Sequence, residues 1–143
     1  MQRSSSSNKG FSLVELIIVI SIMAVLIGIL APQFISYMHK SKVASDWANL
    51  KAYYSEIEAD YVDNNGTYNS DVPTLNHSPG SLDEYSRKEI KFLDGRTVKL
   101  KAGYYAVTKS YTSNGGYQIA YYCDKCNSEW DKHSKTCILT LGL

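Results

Sequence analysis

The feature that most constrains this chain is a long apolar run near its N-terminus. Residues 16–31 contain no charged side chain, and Ser21 is the only polar one among them. Residues 11–31 number 21, which as an α-helix would be about 31 Å long at about 1.5 Å per residue. The hydrocarbon core of a bilayer is about 30 Å thick. The run therefore predicts a membrane-spanning helix.

The run differs from two ordinary targeting segments, a secretory signal peptide and a plain membrane anchor. A secretory signal has an apolar region of about 7–15 residues before a small-residue cleavage site, whereas this run is longer and ends in Leu30-Ala31-Pro32. A plain membrane anchor fits the length but has no need of Glu15, the only charge in the apolar stretch. Because a carboxylate at mid-membrane costs about 2.5–3.5 kcal/mol, and less near a helix end, we expect Glu15 to have a partner.

Cleavage between Gly10 and Phe11 would supply that partner. The new α-amino group at Phe11 would have an unperturbed pKa of about 7.7–8 and be largely protonated at neutral pH. Phe11 and Glu15 are four residues apart, or about 6 Å along a helix. A neighbouring copy displaced along a filament would place its amine against Glu15, so the charge would be neutralised only in the assembly and would set its register.

Residues 9–16, KGFSLVEL, resemble the processing site of type IV pilins and type II secretion pseudopilins, and the similarity covers about residues 1–62. The resemblance implies that residues 1–10 are a leader removed by a prepilin peptidase, an aspartate protease of the inner membrane. Cleavage would follow Gly10, and the same enzyme would N-methylate Phe11. The resemblance also implies an assembly ATPase and a membrane platform protein as partners.

Beyond Pro32 the apolar pattern becomes one-sided. Six positions spaced 4, 3, 4, 3 and 4 form a stripe typical of one helix face: Val43, Trp47, Leu50, Tyr54, Ile57 and Tyr61. The opposite, wet face is predicted to carry Lys42, Asp46, Asn49 and Glu58. A two-helix hairpin or a coiled coil is the alternative, although a coiled coil normally needs more heptads and flanking charge pairs. We predict one helix, apolar over residues 11–32 and amphipathic over residues 33–62, ended by the Asp-Asn-Asn-Gly sequence at 63–66.

Gly28 and Pro32 form a predicted weak point in this helix. Pro32 removes a backbone donor and clashes with the preceding turn, which a membrane helix tolerates when its neighbours satisfy the freed groups. Pilin subunits lose helicity near this point in their filaments, so the resemblance implies that residues 28–32 kink or melt on assembly. A static kink is the alternative.

The rest of the chain predicts an antiparallel sheet of four or five strands. Residues 63–86 are rich in Asn, Ser, Gly and Pro and predict a connecting surface loop. Asp94-Gly95 predicts a two-residue turn between alternating strands, residues 103–109 and 116–123 suggest a second hairpin, and the last seven residues a final strand. The expected fold class is α+β, the type IV pilin fold, with one long helix packed on the sheet of residues 87–143.

Three interpretations fit Cys123, Cys126 and Cys137. Strand parity turns Cys123 and Cys137 inward, which favours a Cys123–Cys137 disulfide over Cys126–Cys137 and would contribute about 3 kcal/mol; many pilins carry a disulfide near the C-terminus. Alternatively, Cys123, Cys126, His133 and Cys137 supply four zinc-type ligands within fifteen residues. Free thiols are the third interpretation. Each role would be structural, and no cofactor is required.

These features predict a structural filament subunit rather than an enzyme. No nucleophile–base set or phosphate-binding loop stands out. The precursor would span the cell membrane once with a cytoplasmic N-terminus, and the processed form would build an extracellular homo-oligomeric pilus. A type II secretion pseudopilin and a competence pilin that captures DNA are the alternatives. Without the leader the chain has 13 basic and 14 acidic residues, a net charge of −1, which disfavours nucleic-acid binding, although Lys88, Lys91, Lys99 and Lys101 cluster in one predicted hairpin.

Overall fold

The computed structural model describes residues 10–75, 87–110, 115–124 and 138–142. These residues form one helix and six strands: α1 (Leu13–Asp63), β1 (Thr74–Leu75), β2 (Glu89–Lys91), β3 (Thr97–Lys99), β4 (Gly103–Lys109), β5 (Tyr117–Cys123) and β6 (Ile138–Leu141). The chain divides into two compact units, Met1–Met38 and His39–Leu143; the second is called the head below. The fold is α+β, with a long N-terminal helix packed on antiparallel strands, as predicted.

The C-terminal end of α1 follows from its Asn-Asn-Gly sequence. The Gly66 N–H donates to the Tyr61 carbonyl at 2.8 Å, and the Asn65 N–H donates to the Val62 carbonyl at 3.2 Å. Asn65 has a φ of 53°, the left-handed conformation that ends a helix in a Schellman motif. The helix thus ends within one residue of the predicted position.

The strands form two sheets, whereas the sequence predicted one. The larger sheet has the order β1-β4-β5-β6, with β4–β5 and β5–β6 antiparallel and β1–β4 parallel. The smaller sheet pairs β2 with β3, placing Ile90 opposite Val98. An isolated bridge between Arg87 and Tyr105 links it to β4. The two-residue strand β1 lies in the segment predicted as a loop.

The turn between β2 and β3 contains three residues rather than the predicted two. The Phe92 N–H donates to the Arg96 carbonyl at 2.8 Å, and the Gly95 N–H donates to the Phe92 carbonyl at 3.1 Å. Gly95 has a φ of 88°, as expected for the left-handed residue that follows a type I turn. The Asp94 carboxylate accepts hydrogen bonds from the Arg96 N–H and Nε, which lower the pKa of Asp94.

The buried face of α1 is displaced around the helix from the predicted stripe. The fully buried positions are Val43, Asp46, Leu50, Tyr53 and Ile57. Trp47, Tyr54 and Tyr61, which were predicted to be central, lie half-buried at the edge of the core. The Tyr53 ring packs edge-on against Phe92 and Tyr105 at centroid distances of 5.6 and 6.2 Å. Contacts of this kind hold α1 against both sheets.

Asp46 is fully buried, which corrects its predicted place on the wet face. Its Oδ1 accepts from the Lys101 N–H at 2.8 Å, and its Oδ2 accepts from the Ala102 N–H at 2.8 Å and the Tyr121 hydroxyl at 3.0 Å. A buried carboxylate is stable only when such donors surround it. Asp46 therefore fixes the β3–β4 connection to the helix and also binds Tyr121 of the larger sheet.

Two further carboxylates of α1 bind other connections of the head. Glu56 Oε2 accepts from the Leu93 N–H at 3.3 Å, in the β2–β3 turn. Glu58 Oε1 accepts from the Tyr117 N–H at the start of β5. A Cβ on Gly116, the residue before β5, would lie 2.9 Å from this oxygen, and Gly116 has a φ of 91°, so glycine permits the close approach. Helix and turns are thus joined by carboxylate-to-backbone hydrogen bonds.

We expect Asp46→Ala to lower the free energy of unfolding of the head by about 3 kcal/mol or more, because two backbone N–H groups and the Tyr121 hydroxyl lose their acceptor. Asp63→Ala, an exposed acidic position at the end of the same helix, is expected to change it by less than about 0.5 kcal/mol. Urea denaturation of the detergent-solubilised chain, followed by tryptophan fluorescence, measures both variants. Equal losses in the two variants would contradict the role of Asp46.

Stability is expected to fall at alkaline pH because of buried tyrosines. Burial, the largest cause, raises the pKa of Tyr53 to about 12, and its hydroxyl has no hydrogen-bond partner among the described residues. An unfolded tyrosine ionises near pH 10, at about its reference pKa. Between about pH 10 and pH 12 the unfolded chain therefore binds fewer protons than the folded one, and stability decreases as pH rises.

Tyr53→Phe should keep or raise stability at neutral pH and reduce this alkaline loss, since it removes an unpaired buried hydroxyl. Tyr105→Phe is the matched control: its hydroxyl donates to the Glu89 carbonyl at 3.2 Å, so its removal should cost about 1 kcal/mol at neutral pH. Urea midpoints at neutral pH and near pH 11 compare them. An unchanged alkaline loss in Tyr53→Phe would count against this explanation.

Candidate functional site

The predicted cleavage bond lies on accessible backbone just before α1. Gly10 and Phe11 are not helical, and the Phe11 side chain is 93% exposed. The helix begins at Leu13, two residues later than predicted, so the expected helical spacing between Phe11 and Glu15 does not apply in the single chain. Residues 1–9 of the predicted leader lie outside the described residues.

Ser12 and Glu15 form a capping box at the start of α1. Ser12 Oγ accepts from the Val14 N–H at 3.3 Å, while the Ser12 N–H donates to Glu15 Oε2 at 2.9 Å. This reciprocal pair satisfies donors that a helix N-terminus leaves without partners. It also places the carboxylate at the positive end of the helix dipole.

The capping box is a contact that the sequence analysis missed. Its signal, Ser12-x-x-Glu15, is visible in the sequence, but the lone charge of Glu15 in an apolar stretch indicated a partner in another copy. In the single chain, one carboxylate oxygen already has a donor. The other, Oε1, has no hydrogen-bond partner among the residues that the structure describes.

The apolar part of α1 is not covered by any other part of the chain that the structure describes. Its large apolar side chains between Leu13 and Met38 are 45–73% exposed. The helix is long and apolar enough to cross a membrane, and none of its most apolar stretch is buried in the structure. Burial of a large apolar side chain is worth about 1.5–3 kcal/mol, so this surface is stable where lipid or another helix covers it.

The predicted weak point at Gly28 and Pro32 lies within continuous helix. Pro32 is inside α1, and a Cβ on Gly28 would meet no atom within 4 Å. A neighbouring helix therefore finds open space at this position. Melting of residues 28–32 on assembly stays a prediction.

Cys123 is fully buried at the end of β5 and is disulfide-bonded. Its predicted inward orientation places it with Ile119 and Tyr121, which are also fully buried. Cys126, His133 and Cys137 lie outside the described residues, so the pairing with Cys137 stays a prediction. A Cys123 sulfur held in a disulfide is not a thiolate that could bind zinc.

Thiol alkylation distinguishes the three interpretations of the cysteines. With one disulfide, a denatured but unreduced chain should take up one alkyl group, and a reduced chain should take up three. A zinc site or free thiols would allow three groups without reductant, after chelation in the case of zinc. Peptide mapping should then join the fragments that contain Cys123 and Cys137; a Cys123–Cys126 or Cys126–Cys137 link would contradict the preferred pairing.

The N-terminal segment is similar to known proteins. Residues 5–31 match the family described as the prokaryotic N-terminal methylation motif. The chain is also 40% identical over 55 residues to a type IV major pilin protein, PilA, of Myxococcus xanthus (strain DK1622). This similarity covers 38% of the chain and 25% of the relative, about a quarter of its length. No solved structure matches the chain.

These similarities agree with the geometry of the site. The matched residues contain the accessible Gly10–Phe11 bond and the Glu15 carboxylate, and the helix-on-sheet architecture agrees with the α+β pilin fold. The motif and the uncovered apolar helix indicate a membrane-anchored precursor. The N-terminal segment of this chain is thus similar to that of a type IV major pilin and carries the prokaryotic N-terminal methylation motif.

Proposed function

We propose that this chain is a structural subunit of an extracellular type IV pilus, assembled from a membrane-inserted precursor after cleavage between Gly10 and Phe11. One observation carries the proposal: a single carboxylate, Glu15, lies at the end of an apolar helix surface that none of the described residues covers. Such a surface fits lipid before assembly and a bundle of like helices afterwards. The carboxylate gives the bundle its specificity.

Processing comes first in this mechanism. A prepilin peptidase needs access to the Gly10–Phe11 bond, and the non-helical backbone and the exposed Phe11 support that access. Hydrolysis creates the Phe11 amine, which the same enzyme would methylate. The amine is protonated at neutral pH, whereas the precursor has no charge on this nitrogen.

Assembly then pairs the amine with an acid on another copy. The Ser12 N–H donates a hydrogen bond to Glu15 Oε2. An incoming amine would therefore bind Oε1, and the capping box would stay formed. The pair would be worth most inside the bundle, where water is excluded and charges are weakly screened. The family implies an assembly ATPase and a membrane platform protein to drive the transfer from lipid.

The choice between a pilus and a secretion pseudopilus rests on the relative. The Myxococcus xanthus protein is a type IV major pilin, which favours a pilus subunit. A competence pilin that captures DNA stays the weaker alternative, since the net charge without the leader is −1.

Glu15→Ala tests the proposal. In cells that assemble the wild-type chain, we expect the variant to be processed but its sheared-filament yield to fall about tenfold or more, which corresponds to about 1.4 kcal/mol per tenfold. Ser12→Ala is the matched control, because it removes the side-chain cap, worth about 1 kcal/mol, and leaves the carboxylate in place. Its filaments should persist.

Mass spectrometry of sheared wild-type filaments should find subunits that begin at N-methylated Phe11. Subunits that begin at Met1, or wild-type yields from Glu15→Ala, would contradict the proposal.

A further inference from the structure

The apolar surface of α1 is followed directly by cations. Its large apolar side chains remain exposed as far as Met38, which is 45% exposed. Lys40 and Lys42 follow two and four residues later, and both are exposed. Between Glu15 and Lys40 the sequence contains no lysine, arginine, aspartate or glutamate. These lysines are therefore the first full charges that the helix carries beyond its apolar stretch.

A third cation, Lys101, lies beside this stretch of helix. Its Nζ donates to Ser45 Oγ at 3.2 Å, and Ser45 is one turn of helix after Lys42, on the same face. The Lys101 N–H donates to Asp46 Oδ1 at 2.8 Å, which fixes the backbone of Lys101 at this level. The three cations, Lys40, Lys42 and Lys101, are called the exit lysines.

Two carboxylates lie near the exit lysines, and only one of them is exposed. Asp46 is fully buried, and its oxygens accept from two backbone N–H groups and the Tyr121 hydroxyl. Asp124 is exposed, and its N–H donates to the Ala102 carbonyl at 2.8 Å. Among the described residues that bind the β3–β4 connection, the three exposed cations are thus offset by one exposed carboxylate.

The length of the helix places these cations near the surface of a bilayer. Measured from Glu15, Lys40 lies about 38 Å and Lys42 about 41 Å along the helix axis. A hydrocarbon core is about 30 Å thick, and a bilayer with its headgroups is about 40–45 Å thick. With Glu15 at the inner edge of the core, both lysines lie about 8–11 Å beyond its outer edge. A helix tilt of about 20° shortens this by about 2 Å.

Side-chain direction and length bring the ammonium groups to the lipid headgroups. Helical side chains lean towards the N-terminus of their helix, which for Lys40 and Lys42 is the direction of the apolar stretch. Lysine has a flexible four-carbon stem, so its ammonium group can reach an interface while the stem covers apolar surface. Tyr37, which is 67% exposed, supplies an aromatic ring of the kind enriched at this interface. The chain itself therefore holds these cations within reach of lipid phosphates.

We propose that the exit lysines bind the phosphate groups of anionic phospholipids at the outer surface of the membrane that holds the precursor. The inference rests on the proposed membrane-inserted precursor and specifies the lipid that its head contacts. Each lysine near an anionic surface adds a favourable interaction that salt weakens. Because these phosphates are present only in the bilayer, the contact fixes the depth of the helix before assembly and is lost when the subunit leaves the membrane.

Lipid selectivity tests this contact. The full chain and its K40Q/K42Q/K101Q variant are reconstituted into phosphatidylcholine vesicles that contain a trace of spin-labelled phosphatidylglycerol or spin-labelled phosphatidylcholine. Electron paramagnetic resonance then measures the fraction of each labelled lipid that the chain immobilises. The wild-type chain should prefer phosphatidylglycerol, and the variant should lower that preference about threefold or more. Sodium chloride at about 0.5 M should also lower the wild-type preference, because salt screens the ammonium groups.

K51Q/K91Q/K109Q is the matched control, with the same charge change at three other exposed lysines. Lys51 lies about 14 Å further along α1 than the last exit lysine of the helix. Lys91 and Lys109 lie beside the later part of α1, where Glu56 and Glu58 bind the adjacent backbone. The control should keep the wild-type lipid preference. Every variant retains the basic residues of the leader, so these contribute equally throughout.

Urea denaturation shows whether each variant folds. If loss of the hydrogen bond to Ser45 unfolds the triple variant, K40Q/K42Q replaces it and should lower the preference by a smaller factor. An unchanged lipid preference in the folded variant, or an equal loss in the control, would overturn the inference. A normal lipid preference combined with a reduced filament yield would also overturn it and assign the exit lysines to a contact between copies.

Retention of the wild-type chain in the vesicles distinguishes this inference from the proposed function. If the chain withstands an alkaline carbonate wash but its lipid preference does not depend on the exit lysines, only the headgroup contact fails. If the wash removes the wild-type chain, the membrane-inserted precursor fails, and the proposed function fails with it.

Discussion

The apolar surface of α1 over residues 13–38, with one carboxylate at its end, constrains everything else in this chain. None of the helix and strands that the structure describes covers that surface, so its free energy depends on lipid or on other helices. Apolar contacts alone would not distinguish one neighbouring position from another. Glu15 makes the possible positions of a neighbouring helix differ in energy. Only one displacement of that helix brings the positive charge of its Phe11 amine to Glu15. Register in the proposed filament thus follows from a single ionisable group.

Carboxylates in the second half of α1 stabilise the fold of a single copy, because their hydrogen-bond donors lie within the head. Asp46, Glu56 and Glu58 each accept from the backbone of a different connection. These bonds fix the strands to the helix even where β2 and β3 are only three residues long. The hairpin is therefore held at a defined level along α1.

Local patterns predicted much of this arrangement, and long-range contacts account for what they missed. The helix, its Asn-Asn-Gly end and the strand alternation are encoded by neighbours in sequence. Burial of Asp46 depends on donors 55 and 75 positions away, which an apolar stripe cannot indicate. Strand β1 has two residues and so no periodicity to detect. The Ser12–Glu15 capping box could have been predicted from neighbouring residues. It was missed because Glu15 was considered only as a partner of another copy.

The most direct test of the central claim is a distance measured inside the filament. Filaments assembled from two populations, one labelled with ¹⁵N at Phe11 and the other with ¹³C at the Glu15 carboxylate, would show a solid-state NMR contact only between different subunits. The account predicts that contact, with nitrogen and carboxylate oxygen within about 4 Å, as in an ion pair. Well-ordered mixed filaments without it, in which the Glu15 carboxylate has no amine neighbour, would contradict the account.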